Sequence, residues 1–255
     1  MQQQYRFTQA LAQGALFLAA ALIGPGNAMA APETAPPPPQ PQYQAAIASP
    51  VRTDADRKDD ARRKPAVFLE FAKVRPGIKV LDVSAGGGST SALLALAVGA
   101  GGEVWAQGGK PSDALAKRLA DHPQPNLHPL VAPYDNPVPA GAPPLDLVTL
   151  IMNYHDIVNT PANREAMNQH IYDALKPGGY FVVVDNAAKD GSGLRDTKTL
   201  HRIDEAALIA EVTKAGFVVD ARSDYLHVAD DPRDQPFFKM NGRPDDKFAL
   251  RFIKK

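Results

Sequence analysis

The sequence predicts one α/β domain built on a doubly wound, mostly parallel seven-stranded sheet with an antiparallel last strand. Short segments of nearly continuous apolar residues alternate with helical patterns, and strands of this kind are buried on both faces of a parallel sheet. The last two strand patterns have no helix between them, which indicates that they pair antiparallel. A chain of 255 residues is long enough to bury the core of such a domain.

The predicted elements follow one another along residues 51–255. A charged helical segment at 51–75, broken near Pro65, precedes the first strand. Strands are predicted at 78–83, 103–107, 126–131, 146–152, 180–185, 217–226 and 248–253. Helices are predicted at 89–98, 113–120, 161–175 and 203–215, the third capped by Thr160 with Pro161 at its first position.

Composition excludes several classes of function. The 28 Lys and Arg residues balance the 28 Asp and Glu residues, which argues against a sequence-independent nucleic-acid binder. The chain has no cysteine, so disulfides, thiolate metal sites and a catalytic thiol are excluded. None of the six histidines is paired at i, i+4, and no metal site is predicted.

The first thirty residues have the pattern of a secretory signal peptide. Arg6 precedes an apolar run at 15–23 (ALFLAAALI), and Ala28-Met29-Ala30 offers a small-x-small cleavage site. The run is nine residues long, whereas about 20 are needed to span a bilayer. We therefore expect an exported, periplasmic or secreted protein without a stable membrane anchor after cleavage.

A Pro-rich segment follows the predicted signal peptide. Residues 31–50 (APETAPPPPQPQYQAAIASP) contain seven prolines, a composition typical of an extended, disordered spacer. The predicted globular domain therefore covers 51–255.

A glycine cluster lies between the first strand and its helix, in VLDVSAGGGSTS. Glycine lets the backbone approach a ligand closely, and a helix N-terminus offers free N–H groups to anions. Dinucleotides and S-adenosylmethionine are the two cofactor classes that use this place. The dinucleotide pattern G-x-G-x-x-G fails at Ser91, and the second strand ends in Gln107 instead of an acid.

Several stretches resemble class I S-adenosylmethionine-dependent methyltransferases, with their Rossmann-like fold. They include Asp82 before the glycines, the terminal strand pair and LKPGGYFVVVD. More narrowly, the chain is similar to a family of predicted bacterial methyltransferases that often carry signal peptides. The matching stretches are RPGIKVLDVSAGGGSTSALLALAVGAGGEVWAQ, DLVTLIMNYHDIV, LKPGGYFVVVDNAA, GSGL, TLHRID, EVTKAGFVVDARSD and KFALRFIKK, which together cover nearly all of 51–255.

The resemblance implies a set of cofactor contacts. Gly86 and Gly88 would line the methionine part of S-adenosylmethionine, and Asp82 would accept from its ammonium group. Gln107 would face the ribose hydroxyls, where the wider class has Asp or Glu. A neutral amide lacks charge assistance and should bind these hydroxyls more weakly.

The segment Asn153-Tyr154-His155-Asp156 follows the fourth strand, where an open α/β sheet forms its ligand crevice. We expect Asn153 beside the cofactor. His155 is the candidate base for the acceptor's proton, with Asp156 orienting it and Tyr154 stacking on or bonding the substrate. The alternative is that His155 and Asp156 only cap the next helix.

Three further positions have two interpretations each. Asp135 follows the third strand, where it would contact the adenine amine or begin a turn. His201 would reach the crevice or bond its own loop. Phe237 and Phe238 would form part of a substrate lid or pack under their loop. Asn186 stands where relatives tend to have His.

These observations predict a methyltransferase that uses S-adenosylmethionine and acts on a small molecule, not on nucleic acid. The alternative is an exported, non-catalytic module that binds another small ligand. An oxidoreductase is disfavoured by Ser91. The predicted export is in tension with the first hypothesis, because S-adenosylmethionine is a cytoplasmic metabolite.

Overall fold

The computed structural model describes residues 40–255 and contains a seven-stranded sheet with strand order β3-β2-β1-β4-β5-β7-β6. The strands are β1 (Lys79–Val83), β2 (Glu103–Gly108), β3 (Leu127–Val131), β4 (Leu145–Ile151), β5 (Leu175–Asn186), β6 (Val218–Ser223) and β7 (Lys247–Ile253). Only β7 runs antiparallel, to both β5 and β6. The predicted fold class, with its antiparallel last strand, is confirmed.

Helices cover both faces of the sheet. They are α1 (Pro41–Ala48), α2 (Asp54–Arg63), α3 (Pro65–Phe71), α4 (Ser89–Val98), α5 (Asp113–Asp121), α6 (Tyr154–Val158), α7 (Arg164–Ala174) and α8 (Glu205–Thr213), with a 3₁₀ turn at Phe237–Lys239. Among residues 40–255, no helix is long and apolar enough to cross a membrane. The predicted signal peptide at 1–30 lies outside the described residues.

Two hydrophobic cores lie on opposite faces of the sheet, because successive side chains of a strand point to opposite sides. Val80 and Leu147 pack with α1, α3 and α4 on one face. Leu81 and Val148 pack with α6, α7 and α8 on the other. The continuous apolar runs of the central strands are therefore explained by burial on both faces.

The start of α7 differs from the prediction. Thr160 does not cap this helix; its hydroxyl donates to the Ile157 carbonyl at 2.8 Å, where α6 ends. The Asn163 side chain is the cap, accepting from Ala166 N at 3.1 Å, and α7 begins at Arg164. Asn and Thr are both favourable N-cap residues, so residue type alone does not show which of Thr160 and Asn163 begins the helix.

The Pro-rich spacer prediction is wrong for part of its range. Pro41–Ala48 is a helix whose Tyr43 and Ala46 are buried in the core beside α3 and α4. The Tyr43 hydroxyl donates to the Val74 carbonyl at 2.5 Å. Proline is tolerated in the first turn of a helix, and the apolar spacing of Tyr43, Ala46 and Ile47 forms one helical face. Residues 31–39 lie outside the described part.

This packing predicts that Tyr43→Ala destabilises the domain by about 3 kcal/mol, because it removes a buried aromatic ring and its hydrogen bond. The exposed Gln44 lies on the same helix, and Gln44→Ala should change the free energy of unfolding by less than about 0.5 kcal/mol. Urea unfolding of the full chain measures both. Equal, small effects would mean that this helix is not part of the folded domain.

Candidate functional site

A cleft opens at the carboxyl ends of the parallel strands. The larger of two cavities, about 1210 Å³ with its open mouth included, lies over the ends of β1, β4 and β5; the slightly smaller one, about 1180 Å³ on the same measure, lies over the ends of β2 and β3. Ser84, Ala85 and Gly86 line both, so the two cavities adjoin along the loop after β1. This is the place where open α/β sheets bind ligands.

The glycines of this loop have different roles. Gly86 has φ +56°, and a Cβ built on it would meet no atom within 4 Å, because it would point into the open cleft. Gly88 has φ +76°, but its Cβ would lie 2.5 Å from Leu115 Cδ1 of α5. Gly86 therefore borders the cleft, whereas Gly88 permits close packing of α5 and does not line either cavity.

An ion pair from outside the loop holds the loop in place. The Arg118 Nε donates to the Gly87 carbonyl at 2.9 Å, and its guanidinium makes two bonds to the buried Asp56 carboxylate. Asp56 also accepts from the Ser89 hydroxyl at the start of α4. These bonds hold the pKa of Asp56 well below its usual range despite its burial. The sequence analysis missed this pair, because its residues are 62 positions apart.

Asp82 lies on the floor of the larger cavity, fully buried at the end of β1. Its carboxylate accepts from the Ser91 hydroxyl at 2.5 Å and from the Thr149 hydroxyl at 2.7 Å. Burial raises the pKa of Asp82 to about 6, outweighing these two bonds, which lower it. Ser91, which broke the dinucleotide pattern, therefore supports the carboxylate.

Gln107 is wholly buried, and both ends of its amide are already bonded. Its Oε1 accepts from Ser84 N at 3.0 Å, and its Nε2 donates to the Ala132 carbonyl at 2.7 Å. The amide thus joins two loops. Gln107 also borders the smaller cavity, and its contact to ribose hydroxyls stays a prediction. The next residue, Gly108, ends β2 without a side chain.

Asn153 and Asp135 have different positions relative to the cleft. Asn153 lines the larger cavity, and its Nδ2 donates to the Ser84 and Ile151 carbonyls. Asp135 does not line either cavity; its carbonyl accepts from His170. Its neighbour Tyr134 lines the smaller cavity instead. The predicted adenine contact of Asp135 is therefore not supported, and an aromatic ring takes that place.

Tyr154 points away from the cleft, which corrects its predicted role toward the substrate. Its ring is wholly buried in the core, and its hydroxyl donates to Glu211 Oε2 and accepts from Asn168 Nδ2, both at 2.9 Å. Burial and the nearby Glu211 carboxylate raise the pKa of Tyr154 far above its usual range. It is a packing residue that joins α6 to α8.

His155 lies between two carboxylates. Its Nδ1 contacts Asp185 Oδ1 at 2.6 Å, and its Nε2 lies 3.3 Å from Asp156 Oδ1. The second oxygen of Asp185 accepts from the backbone N of His155 at 2.9 Å. Asp185 is fully buried at the end of β5, so its charge is compensated by this histidine. Sequence reasoning had not connected these two residues.

This environment conflicts with the predicted role of His155 as a base. Burial lowers its pKa, but the hydrogen bonds and charges of Asp156 and Asp185 outweigh burial and raise it to about 9. An imidazole with this pKa carries a proton at neutral pH and accepts none. The bond from His155 lowers the pKa of Asp156, so Asp156 faces the cleft as a carboxylate.

His201 joins the same group from the loop after β5, which supports the first of its two interpretations. Its Nδ1 lies 3.1 Å from Asp156 Oδ1, and its ring meets His155 edge-on with centroids 5.6 Å apart. Phe238 packs on the other side of His201, also at 5.6 Å. One ligand-type atom from each of His155, Asp156 and His201 lies within 4.8 Å of the others.

Comparison with known proteins gives a consistent picture of the fold. No protein-family model matches the sequence. An uncharacterized methyltransferase of Synechocystis sp. is 29% identical over 161 residues, covering 59% of this chain and 72% of the relative. A S-adenosylmethionine-dependent methyltransferase structure from Aquifex aeolicus superposes with TM-score 0.58 at 17% identity, covering 79% of this chain and 97% of that one.

A second solved structure, a TehB-like S-adenosylmethionine-dependent methyltransferase from Corynebacterium glutamicum, superposes with TM-score 0.51 at 16% identity. It covers 80% of this chain and 100% of that one. The chain therefore has the fold of class I S-adenosylmethionine-dependent methyltransferases, as the sequence resemblance implied. At these identities the solved structures establish the fold alone.

The buried Asp82 predicts a pH-dependent effect of Asp82→Asn. Because the pKa of about 6 in the folded protein exceeds the ordinary aspartate value of 3.8, the fold favours the protonated acid. This stabilisation of the folded state is fully present below pH 3.8 and is lost as the pH rises through about 6. Relative to wild type, the variant should gain up to ~3 kcal/mol of unfolding free energy across this window. If urea denaturation showed the same difference in unfolding free energy between variant and wild type at every pH, the raised pKa of Asp82 would be contradicted.

Proposed function

We propose that the protein is a S-adenosylmethionine-dependent methyltransferase that acts on a small molecule. The observation that carries the proposal is the open cleft above Gly86, at the carboxyl ends of β1 and β4, in a chain with this fold. When bound, S-adenosylmethionine supplies an electrophilic methyl group. The residues of the chain hold the cofactor and the acceptor in line.

The residues around the loop after β1 fit the two ends of this cofactor. Asp82 offers a carboxylate below the larger cavity, where the methionine ammonium would lie. The smaller cavity is mostly apolar and includes Ala106, Leu130 and Tyr134, which suits a flat adenine ring. Gly86 lies where the two cavities adjoin and leaves room for the backbone to approach the ligand.

The acceptor would occupy the part of the larger cavity near His155 and Phe237. A small, mostly apolar pocket that includes Phe68, Leu93 and Tyr225 adjoins the larger cavity at Ile151 and Met152. Phe237 and Phe238 are exposed, in T-shaped contact with each other, and Phe237 borders the cavity. These surfaces favour an acceptor that carries an apolar portion, and they support the lid interpretation of the two phenylalanines.

The charge around the cleft favours a small acceptor over a nucleic acid. Four Lys and Arg side chains line the larger cavity, and each has a carboxylate partner: Arg62 and Arg63 pair with Asp59, Arg118 with Asp56, and Lys247 with Asp245. Binding to a phosphate backbone relies on cations that exchange condensed counterions. Cations that are already paired with carboxylates, in a chain of zero net charge, would displace few of these counterions.

Proton removal from the acceptor falls to Asp156 in this proposal. It is the ionised group that faces the cavity, whereas His155 is already protonated. His155 acts as a positioning residue that bonds both Asp156 and the buried Asp185. His155→Ala would leave Asp185 buried without this partner, so loss of activity in that variant would not identify a base.

The second candidate function is a binding module without catalysis. The engaged amide of Gln107 and the absence of a side chain at Gly108 favour it, because the end of β2 offers no carboxylate to ribose hydroxyls. Cofactor binding and methyl transfer distinguish the two functions.

We predict that Gly86→Val weakens binding of S-adenosylhomocysteine at least ~10-fold, or by about 1.4 kcal/mol, because the side chain fills the cleft. Gly178 is the matched control: it also has positive φ (+78°) with open space at its Cβ, but it lies in the irregular first part of β5, at the other end of the sheet. Calorimetric titration of both variants measures the effect. Equal losses in both would contradict the placement of the cofactor.

Transfer of labelled methyl groups tests the acceptor class. The full chain is incubated with S-adenosylmethionine and cell extract, and label is counted in the small-molecule, RNA and protein fractions. Label in the small-molecule fraction supports the proposal. Label confined to RNA would contradict the acceptor class, and cofactor binding without any transfer favours the binding module.

We further propose that residues 1–30 direct export. The support is the sequence pattern of Arg6, the apolar run 15–23 and the cleavage site at Ala28-Met29-Ala30. Leu18→Arg, inside the run, should stop processing, whereas Gln13→Arg outside it should not. The mass of the processed protein should correspond to a chain that begins at Ala31; an unprocessed protein in the cytoplasm would overturn this proposal.

A further inference from the structure

We infer that His155, Asp156 and His201 form a binding site for a divalent transition-metal ion, with zinc as its reference ion. The three side chains come from α6 and from the loop after β5, and all three line the larger cavity. One ligand-type atom from each lies within 4.8 Å of the other two. Neither the fold comparison nor the sequence pattern pointed to a metal.

The distances within the group suit a shared ion. Asp156 Oδ1 lies 3.3 Å from His155 Nε2 and 3.1 Å from His201 Nδ1. Zinc binds histidine nitrogen and carboxylate oxygen at about 2.0–2.2 Å, so adjacent ligand atoms around a tetrahedral ion are roughly 3.3–3.5 Å apart. The pairs Asp156–His155 and Asp156–His201 thus already have nearly the spacing of two ligands on one ion. A small movement of His201 would bring the two histidine nitrogens to the same spacing.

The surroundings of His155 are those of a metal-binding histidine. Asp185 Oδ1 contacts its Nδ1 at 2.6 Å, and Asp185 Oδ2 accepts from its backbone N at 2.9 Å. Ligating histidines almost always donate their other ring N–H to such a carboxylate, which sets the tautomer and directs Nε2 toward the ion. The ion would take the position of the proton between His155 Nε2 and Asp156.

Asn186 provides a second, independent observation. It is buried, lines the same cavity, and its Nδ2 donates to the His201 carbonyl at 3.0 Å, which fixes the histidine loop. Its buried Oδ1 has no hydrogen-bond partner among residues 40–255. An unpartnered buried oxygen beside a ligand cavity needs an explanation. A water molecule on the ion would supply the missing donor.

The donor set indicates which class of ion is bound. Two imidazoles and one carboxylate suit zinc and other first-row transition metals, whereas magnesium and calcium prefer sites made of oxygen atoms. Three protein ligands leave a position open toward the cavity, as in catalytic metal sites. If the proposed function holds, an acceptor oxygen would bind at this position and its proton would pass to Asp156 Oδ2, because Oδ1 is the ligand atom. Metal binding itself does not depend on that function.

The test uses the full chain, freed of metal by chelator and without S-adenosylmethionine. Co²⁺ is titrated by its visible absorption and Zn²⁺ by calorimetry, with the expectation of one ion per chain. His201→Ala should weaken Zn²⁺ binding at least ~10-fold. His155→Asn retains a donor toward Asp185 while removing Nε2, and should also weaken binding. Circular dichroism checks that both variants fold.

His128→Ala is the matched control, because His128 is a half-exposed histidine paired with a carboxylate, Glu103, at the far edge of the sheet. It should leave Zn²⁺ affinity unchanged. No wild-type binding at millimolar Zn²⁺, or equal affinity in wild type and His201→Ala, would overturn the site.

The same samples are titrated with S-adenosylhomocysteine to separate the two proposals. Zinc binding without cofactor binding would retain the metal site and overturn the proposed function. Cofactor binding without zinc binding would retain the proposed function and overturn the metal site.

Discussion

Burial of polar side chains at the carboxyl ends of the strands is the constraint on which the rest of this structure depends. A sheet covered on both faces leaves little water for these groups, so each needs a partner from the protein or from a ligand. Asp82 finds Ser91 and Thr149, and Asp185 finds His155. The bonds to Ser91 and His155 connect the ends of β1 and β5 to α4 and α6, and thereby set the shape of the cleft before any ligand enters it.

The same constraint separates groups that are available to a ligand from groups that are not. Tyr154 lies in the conspicuous segment after β4, yet its hydroxyl is fully used by Glu211 and Asn168. Asp156 lies two residues further on, faces the cavity and remains ionised. Because residues two apart lie on nearly opposite sides of a helix, α6 places the Tyr154 side chain in the core and the Asp156 side chain in the cleft. Closeness in sequence therefore did not show which of these two residues is available to a ligand, whereas their hydrogen-bond partners do.

The sequence was sufficient to predict those features that depend on local pattern. The doubly wound, mostly parallel sheet could be anticipated because continuous apolar runs alternate with helical patterns along most of the chain. Long-range pairing could not be anticipated: nothing local connects His155 with Asp185, 30 residues away. The helix at Pro41–Ala48 was hidden for a different reason, because a high proline content masks three apolar positions that pack against the core.

Gln107 shows how such long-range bonds alter the interpretation of an unusual residue. Against the wider methyltransferase class it resembles a weakened ribose ligand. In the structure it accepts from Ser84 N and donates to the Ala132 carbonyl. A carboxylate could make the first bond but not the second, and would set a buried negative charge against a carbonyl oxygen. The amide is therefore required by the backbone around it. Its departure from the class is thus explained by packing against two loops.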